Sequence, residues 1–242
     1  MVELVTFKGL KGEGTMDKRT AFEKELLSTP PGRLGRRMVK KKHFYYQITG
    51  EKEISITKEP ALIASLARKK LLQTMLKNDD FNSPAMLIKT LPKTYAELPP
   101  EYFYHPSVAK WQAAEYRKNT LFPEQLIYAS TAGKLFRSKS EREIANILEQ
   151  NKLPYRYEAT LGLLNTDVSA DFIIMNPFTG KTVVWEHFGL SEDEKYQRSM
   201  NDKMDDYLKT GYIENENFIK TFEYHLRDPK RIQTIIDNVI LA

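Results

Sequence analysis

Two acidic residues set inside apolar, strand-like runs constrain this chain more than any other feature of its sequence. Asp171 stands in Ser-Ala-Asp-Phe-Ile-Ile and Glu186 in Val-Val-Trp-Glu-His-Phe. Between them, Asn176-Pro-Phe-Thr-Gly-Lys181 has the chemistry of a hairpin turn. A carboxylate between large apolar neighbours is costly to desolvate unless it is paired or bound to a metal. One such residue at a strand end usually faces solvent or meets an arginine. Two on adjacent strands of one hairpin can converge on a single hard cation such as Mg²⁺, which takes oxygen ligands and keeps several waters.

The flanking sequence gives this hairpin a setting. Residues 138–150 read as a helix with Ile144, Ile147 and Leu148 inward. Ser138 or Ser140 is its N-cap, each with a glutamate three positions on (Glu141, Glu143), as in a capping box. Strand-like runs follow at 155–161, 169–175 and 182–188, then a helix over 192–209 closed by Gly211, a strand at 218–222 and a last helix over 229–239. The order α-β-β-β-α-β with a terminal helix predicts an α/β domain on a mixed sheet.

The first 125 residues read as an α+β accessory region, with a core over 126–242. Gly9, Gly12 and Gly14 break up its opening stretch. A short helix over 17–27, capped by Asp17 and with Phe22, Leu26 and Leu27 on one face, is stopped by Pro30-Pro31-Gly32. A basic lead-in over 33–43 runs into a small antiparallel hairpin of 44–48 and 53–57. Helices follow at 61–77, 84–89 and 106–118, with an irregular, proline-rich connection over 91–104.

Charge divides the chain in the same place. Residues 1–120 hold 22 Lys+Arg against 13 Asp+Glu, a net of +9, while 121–242 hold 15 against 19, a net of −4; together they give the +5 of the whole chain. A basic front half suits a polyanionic partner, and an acidic back half suits a cation. The basic residues gather in two clusters: Arg33, Arg36, Arg37, Lys40, Lys41 and Lys42 beside Phe44, Tyr45 and Tyr46, and Arg68, Lys69 and Lys70 on the helix over 61–77. Basic side chains among aromatics suit phosphate contact and base stacking, although a charged outer face would have the same composition.

Several classes are excluded. Zero cysteines rule out disulfides and cysteine-held metal sites. No phosphate-binding Gly-x-x-x-x-Gly-Lys-Ser/Thr loop and no Gly-x-Ser-x-Gly elbow is present, and the four histidines lack paired metal-ligand spacing. No apolar run is long enough to span a membrane, and the opening residues lack the order of a secretory signal, so a cytoplasmic protein is expected.

Taken together, Arg137-Ser-Lys-Ser-Glu141-Arg-Glu, Leu-Pro-Tyr-Arg-Tyr-Glu158, Ala-Asp171-Phe and Val-Trp-Glu186-His-Phe-Gly resemble the PD-(D/E)xK nuclease superfamily over about residues 130–225. The likeness is closest to its bacterial and phage members with a Trp-Glu-His strand and to RecB-type nuclease domains. The resemblance implies a restriction-endonuclease-like α-β-β-β-α-β core that cleaves DNA with Mg²⁺, or with Mn²⁺ in its place. Glu141 falls at the first-helix glutamate, Asp171 at the acid of the "PD" pair and Glu186 at the acid of the (D/E)xK strand. Asp171 and Glu186 would hold the metal, helped by the backbone carbonyl of His187, while Glu141 completes the site and Glu158 supports it. The departure is Phe188, which fills the slot of the lysine. In this superfamily that lysine can migrate to another element, and the best candidate is Lys203, four residues before Tyr207 in a spacing similar to the Gln-x-x-x-Tyr helix of RecB-type nucleases. The alternative is a nuclease fold that binds DNA or protein without the reaction, or a subunit active only with a protein partner; a homodimer is a further possible assembly.

Overall fold

The computed structural model describes residues 17–81, 84–163, 166–189 and 194–241. The opening glycine-broken stretch and the first two residues of the helix expected from 192 lie outside them. By its contacts the described chain divides into two compact units after His105.

The unit before that point begins with α1 (Lys18–Leu27). Asp17 sits at its N-cap but its side chain makes no capping bond. Phe22 is buried and stacks on Phe81 at 5.8 Å, whereas Leu27, expected on the same face, is exposed. Three antiparallel strands follow: β1 (Arg33–Val39), β2 (Lys42–Thr49) and β3 (Lys52–Ser55). The expected hairpin is therefore a meander, because the basic lead-in is itself a strand. Its turn hides in the sequence. Val39 pairs with Lys42, which leaves Lys40-Lys41 as a two-residue loop with both φ angles positive, at 48° and 63°. Two-residue hairpin loops demand that conformation and usually recruit Asn-Gly for it. Residues with side chains adopt it at about 1–2 kcal/mol each.

Helix α2 (Pro60–Asn78) buries Ile63, Leu66, Ala67, Leu71, Leu72 and Met75 along one stripe, the spacing that its sequence predicts. Two shorter helices, α3 (Pro84–Thr90) and α4 (Lys93–Ala96), and a 3₁₀ turn over Pro100–Phe103 complete this unit.

The second unit is mixed α/β. It runs through α5 (Ser107–Ala113), a small ribbon of β4 (Tyr128–Ala129) and β5 (Leu135–Phe136), and α6 (Lys139–Gln150). Then come β6 (Tyr155–Gly162), β7 (Asp167–Met175), β8 (Thr182–Phe188), α7 (Glu194–Thr210) and β9 (Phe218–Phe222). Two further helices, α8 (Glu223–Leu226) and α9 (Pro229–Ile235), end it, and a π turn over Ile236–Ile240 extends α9. The four-stranded sheet has the order β6-β7-β8-β9. The first three strands are antiparallel neighbours, and β9 lies parallel to β8 because α7 carries the chain back across.

Alternation along the strands feeds two cores. Phe172, Ile174, Val183 and Trp185 pack with Ile144 and Leu148 of α6 and with Ile232 and Ile236. On the other face Ile173, Val184 and Phe218 pack with Tyr207 of α7. The stretch 106–125, grouped with the front half by composition, packs on β6 instead. Arg156 lies 4.3 Å from the Trp111 ring and 4.8 Å from that of Tyr116, and Lys118 bridges Ala159. Helix α5 stops at Ala113, short of the expected 118, since Arg117 and Asn119 hydrogen-bond along β6. No helix among the described residues is long and apolar enough to cross a membrane.

One polar junction ties β4–β5 to the sheet. Glu149 accepts from Ser130 Oγ (2.9 Å), Thr131 Oγ1 (2.8 Å), Ala132 N (3.0 Å) and Tyr155 OH (2.7 Å). Burial pushes its carboxyl up, but the hydrogen bonds outweigh it and hold the group below its ordinary value. A depressed carboxylate adds stability that is complete above its unfolded pKa and fades as pH falls through the folded one. Glu149→Gln should therefore cost about 1 kcal/mol at neutral pH and flatten the acid limb of stability below the ordinary carboxylate range. Urea titrations at neutral and acidic pH check this; an unchanged acid limb would show that Glu149 does not contribute.

Candidate functional site

The two carboxylates meet where the sheet comes apart. The β7–β8 ladder runs from Met175–Thr182 to Phe172–Trp185 and ends there. The next residues are Asp171 and Glu186, opposite each other, so their side chains leave the same face. Instead of a backbone bond, His187 N–H donates to Asp171 Oδ2 at 2.7 Å. Glu158 occupies the equivalent row of β6, between the pairs Tyr157–Phe172 and Ala159–Ala170, with a positive φ of 49°. Three neighbouring strands thus carry an acid at one level.

Helix α7 covers that face. Glu186 is 1% exposed, and both its oxygens are met from α7: Lys203 Nζ lies 2.8 Å from Oε2, and Tyr207 OH donates to Oε1 at 2.6 Å. Lys203 Nζ also reaches Ser169 O of β7 at 3.1 Å. Residues four apart on a helix share a face, which is why one helix delivers both groups. Phe188, where the resemblance would place a lysine, is buried and packs on Phe222 with ring centres 6.0 Å apart.

The electrostatics follow from burial and like charge. Burial, then the Glu186 charge, raises the Asp171 carboxyl well above its ordinary range; Lys203 and the His187 N–H oppose this, and Glu141 adds to it. Burial and Glu186 push the Tyr207 hydroxyl far up, so it stays protonated and donates.

Glu141 and Glu158 are held by other groups. Glu141 closes a capping box with Ser138 and accepts from Tyr157 OH (2.6 Å) and Arg137 N (3.2 Å). It therefore anchors the start of α6, and its action on Asp171 is through charge. Glu158 binds Arg137, Nε to Oε1 at 2.6 Å, and Arg137 in turn holds the carbonyls of Leu121 and Phe122.

The ring of His187 points to the opposite face, as strand alternation requires. Its Nδ1 is 2.9 Å from Thr221 Oγ1 and its Nε2 3.3 Å from Glu223 Oε1, which also accepts from Ser140 Oγ at 2.7 Å. Thr221 Oγ1 accepts from Trp185 Nε1 at 2.7 Å as well. Sequence reasoning missed Thr221 and Glu223 and gave Ser140 only as a possible N-cap, a place that Ser138 takes; nothing local marks a residue whose partners lie more than thirty positions away.

The basic clusters are corrected in part. Arg36 pairs with Glu97, and Arg37 pairs with Glu53 over the Tyr46 ring. Arg68 is buried, with two bonds to Glu25 and one to Phe103 O, and Lys69 donates to Pro30 O at 2.8 Å. Arg68 and Lys69 are internal ties rather than a surface for phosphate, because each meets its partner inside the unit. Lys70 is half-buried on α2, while Arg33, Lys40, Lys41 and Lys42 are exposed.

Among the described residues no set of three or more acidic or histidine side chains gathers as a metal cage. What the sheet offers is a pair of carboxylates with oxygen donors only. Comparison with protein-family models, curated proteins and solved structures gave no match for this chain.

Proposed function

We propose that the unit after His105 is a metal-dependent nuclease core of the PD-(D/E)xK type, hydrolysing phosphodiester bonds in DNA. The observation that carries this reading is the ammonium of Lys203 placed 2.8 Å from the buried Glu186, next to Asp171. A divalent cation fits the donor set. The charges of Glu186 and Glu141 both act on Asp171, with the Lys203 ammonium opposing them, and Mg²⁺ or Mn²⁺ commonly binds through one or two carboxylates plus substrate phosphate. When bound, the ion would lower the pKa of its water and offset charge on the phosphate.

The protein's own groups have distinct tasks. Asp171 and Glu186 would hold the ion, with the His187 carbonyl, next to Glu186 on β8, as a third oxygen. Of the three N–H donors of Lys203, two are engaged by Glu186 and Ser169 O; the third would orient the attacking water. Tyr207 fixes Glu186 from behind. Incubating the pure protein with linear, circular and single-stranded DNA in Mg²⁺, Mn²⁺ or EDTA tests this. Cleavage in either metal but not in EDTA is expected; intact DNA throughout sinks it.

A second reading, a nuclease-fold module that binds without cutting, is favoured by one observation: Glu186 already has both oxygens satisfied within the protein. Calorimetric titration with Mg²⁺ separates the two, since binding heat lost in Asp171→Ala belongs to the enzyme and no heat belongs to the module.

A further inference from the structure

Between Glu25 and Glu51 the sequence holds no acidic residue, yet it holds Arg33, Arg36, Arg37, Lys40, Lys41 and Lys42. Arg33 is exposed at the start of β1, and the fold sorts the other five. Arg36 and Arg37 turn back along the sheet to Glu97 and Glu53, while the three lysines are carried outward. β3 pairs with β2 no further than Ser55–Tyr46; past it, Ile56 N donates to Tyr45 O and Thr57 Oγ1 accepts from Tyr45 N, the last ties on that side. Beyond that point residues 37–44 project as a two-stranded ribbon, with no third strand beside it among the described residues. Lys40 and Lys41 form its tip, Lys42 and His43 follow on β2, and Met38 (70% exposed) and Val39 (50% exposed) stand behind the tip.

We propose that this ribbon is a groove-reading element for double-stranded DNA. The inference rests on the reading of the chain as acting on DNA and deepens it by naming the duplex. A two-stranded ribbon is one of the few elements that the major groove admits; the groove is about 12 Å wide and about 8.5 Å deep. From Arg37 to Lys40 the strand rises about 10 Å, enough to reach the groove floor with the tip. The ribbon meets its partner charge-first. Two ammonium groups lead and the apolar Met38 and Val39 come after, the reverse of what entry into a lipid layer requires. Met38 and Val39 are then placed to touch thymine methyl groups while the lysines meet phosphates and guanine edges.

The turn supplies a variant that separates folding from binding. Lys40→Asn/Lys41→Gly installs the residue pair that a two-residue loop with positive φ prefers, so the protein should be at least as resistant to heat as the parent. Binding of the full chain to a labelled duplex, measured by anisotropy in EDTA so that no cleavage intervenes, should nonetheless weaken about tenfold, with the log–log salt slope falling by about 2. Lys58→Asn/Lys77→Asn removes two exposed charges elsewhere on the same unit and should shift affinity less than about threefold. The loss should be larger for duplex than for a single strand of the same sequence. Equal loss in both variants, equal loss on single strands, or ribbon-dependent binding to phosphatidylserine vesicles but not to duplex would each overturn the proposal. A parent protein that cuts duplex but binds it independently of the ribbon would sink this inference alone; one that neither binds nor cuts DNA would sink the nuclease reading.

Discussion

Glu186→Ala and Asp171→Ala are each expected to lower Mg²⁺-dependent DNA cleavage by about 10³-fold or more, the scale of losing a charged group that acts directly on the reacting centre. Lys203→Ala should cost about 10²–10³-fold, whereas Lys209→Ala, exposed in the last turn of α7, should stay near the parent rate. The grounds are geometric. Asp171 and Glu186 lie one residue past the last β7–β8 pair, on one face, and Lys203 is the cation in contact with Glu186. A nickase assay on supercoiled plasmid, with circular dichroism to show that each variant is folded, reads the result. Parent-like rates in both carboxylate variants would remove the catalytic assignment, and equal rates for the two lysine variants would remove the role of Lys203.

The element order of the second unit could be read from the sequence because its signals are local: a capping box at Ser138, turn chemistry at 176–181 and apolar, strand-like runs through β7 and β8. That Asp171 and Glu186 could converge followed from their places on the two strands of one hairpin. Lys203 and Tyr207 were reached only through the family resemblance and the four-residue spacing it implies, since no local property tells an inward lysine from a solvated one. The burial of Arg68 was not legible. Its partners, Glu25 and the Phe103 carbonyl, come from distant segments, and an arginine followed by two lysines on a helix has the same pattern as an exposed one. Strand β1 was hidden for a different reason. Its turn carries lysines where the conformation favours Asn-Gly, so the basic run read as a lead-in rather than as one arm of a hairpin.

Lys203→Met is expected to destabilise the metal-free protein by about 3 kcal/mol, the scale of breaking a buried ion pair. Glu186 is almost wholly buried, and Lys203 is its one ionic partner among the described residues. Methionine preserves the side-chain length but leaves that carboxylate facing Asp171 with only the Tyr207 hydroxyl to offset it. The double variant Glu186→Gln/Lys203→Met removes charge from both partners and should return to within about 1 kcal/mol of the parent, because replacing a buried pair altogether is often close to neutral. The cycle also separates a structural lysine from one beside a cation site. If the two carboxylates form that site, removing the ammonium makes it more negative, so Mg²⁺ should raise the urea midpoint of Lys203→Met more than that of the parent, by the usual dependence on ligand concentration over Kd. It should do little for the double variant. A loss under about 1 kcal/mol for Lys203→Met would reduce the contact to a surface pair. A full loss that Mg²⁺ leaves unchanged would keep the ion pair as a structural feature and take the metal away from this sheet edge.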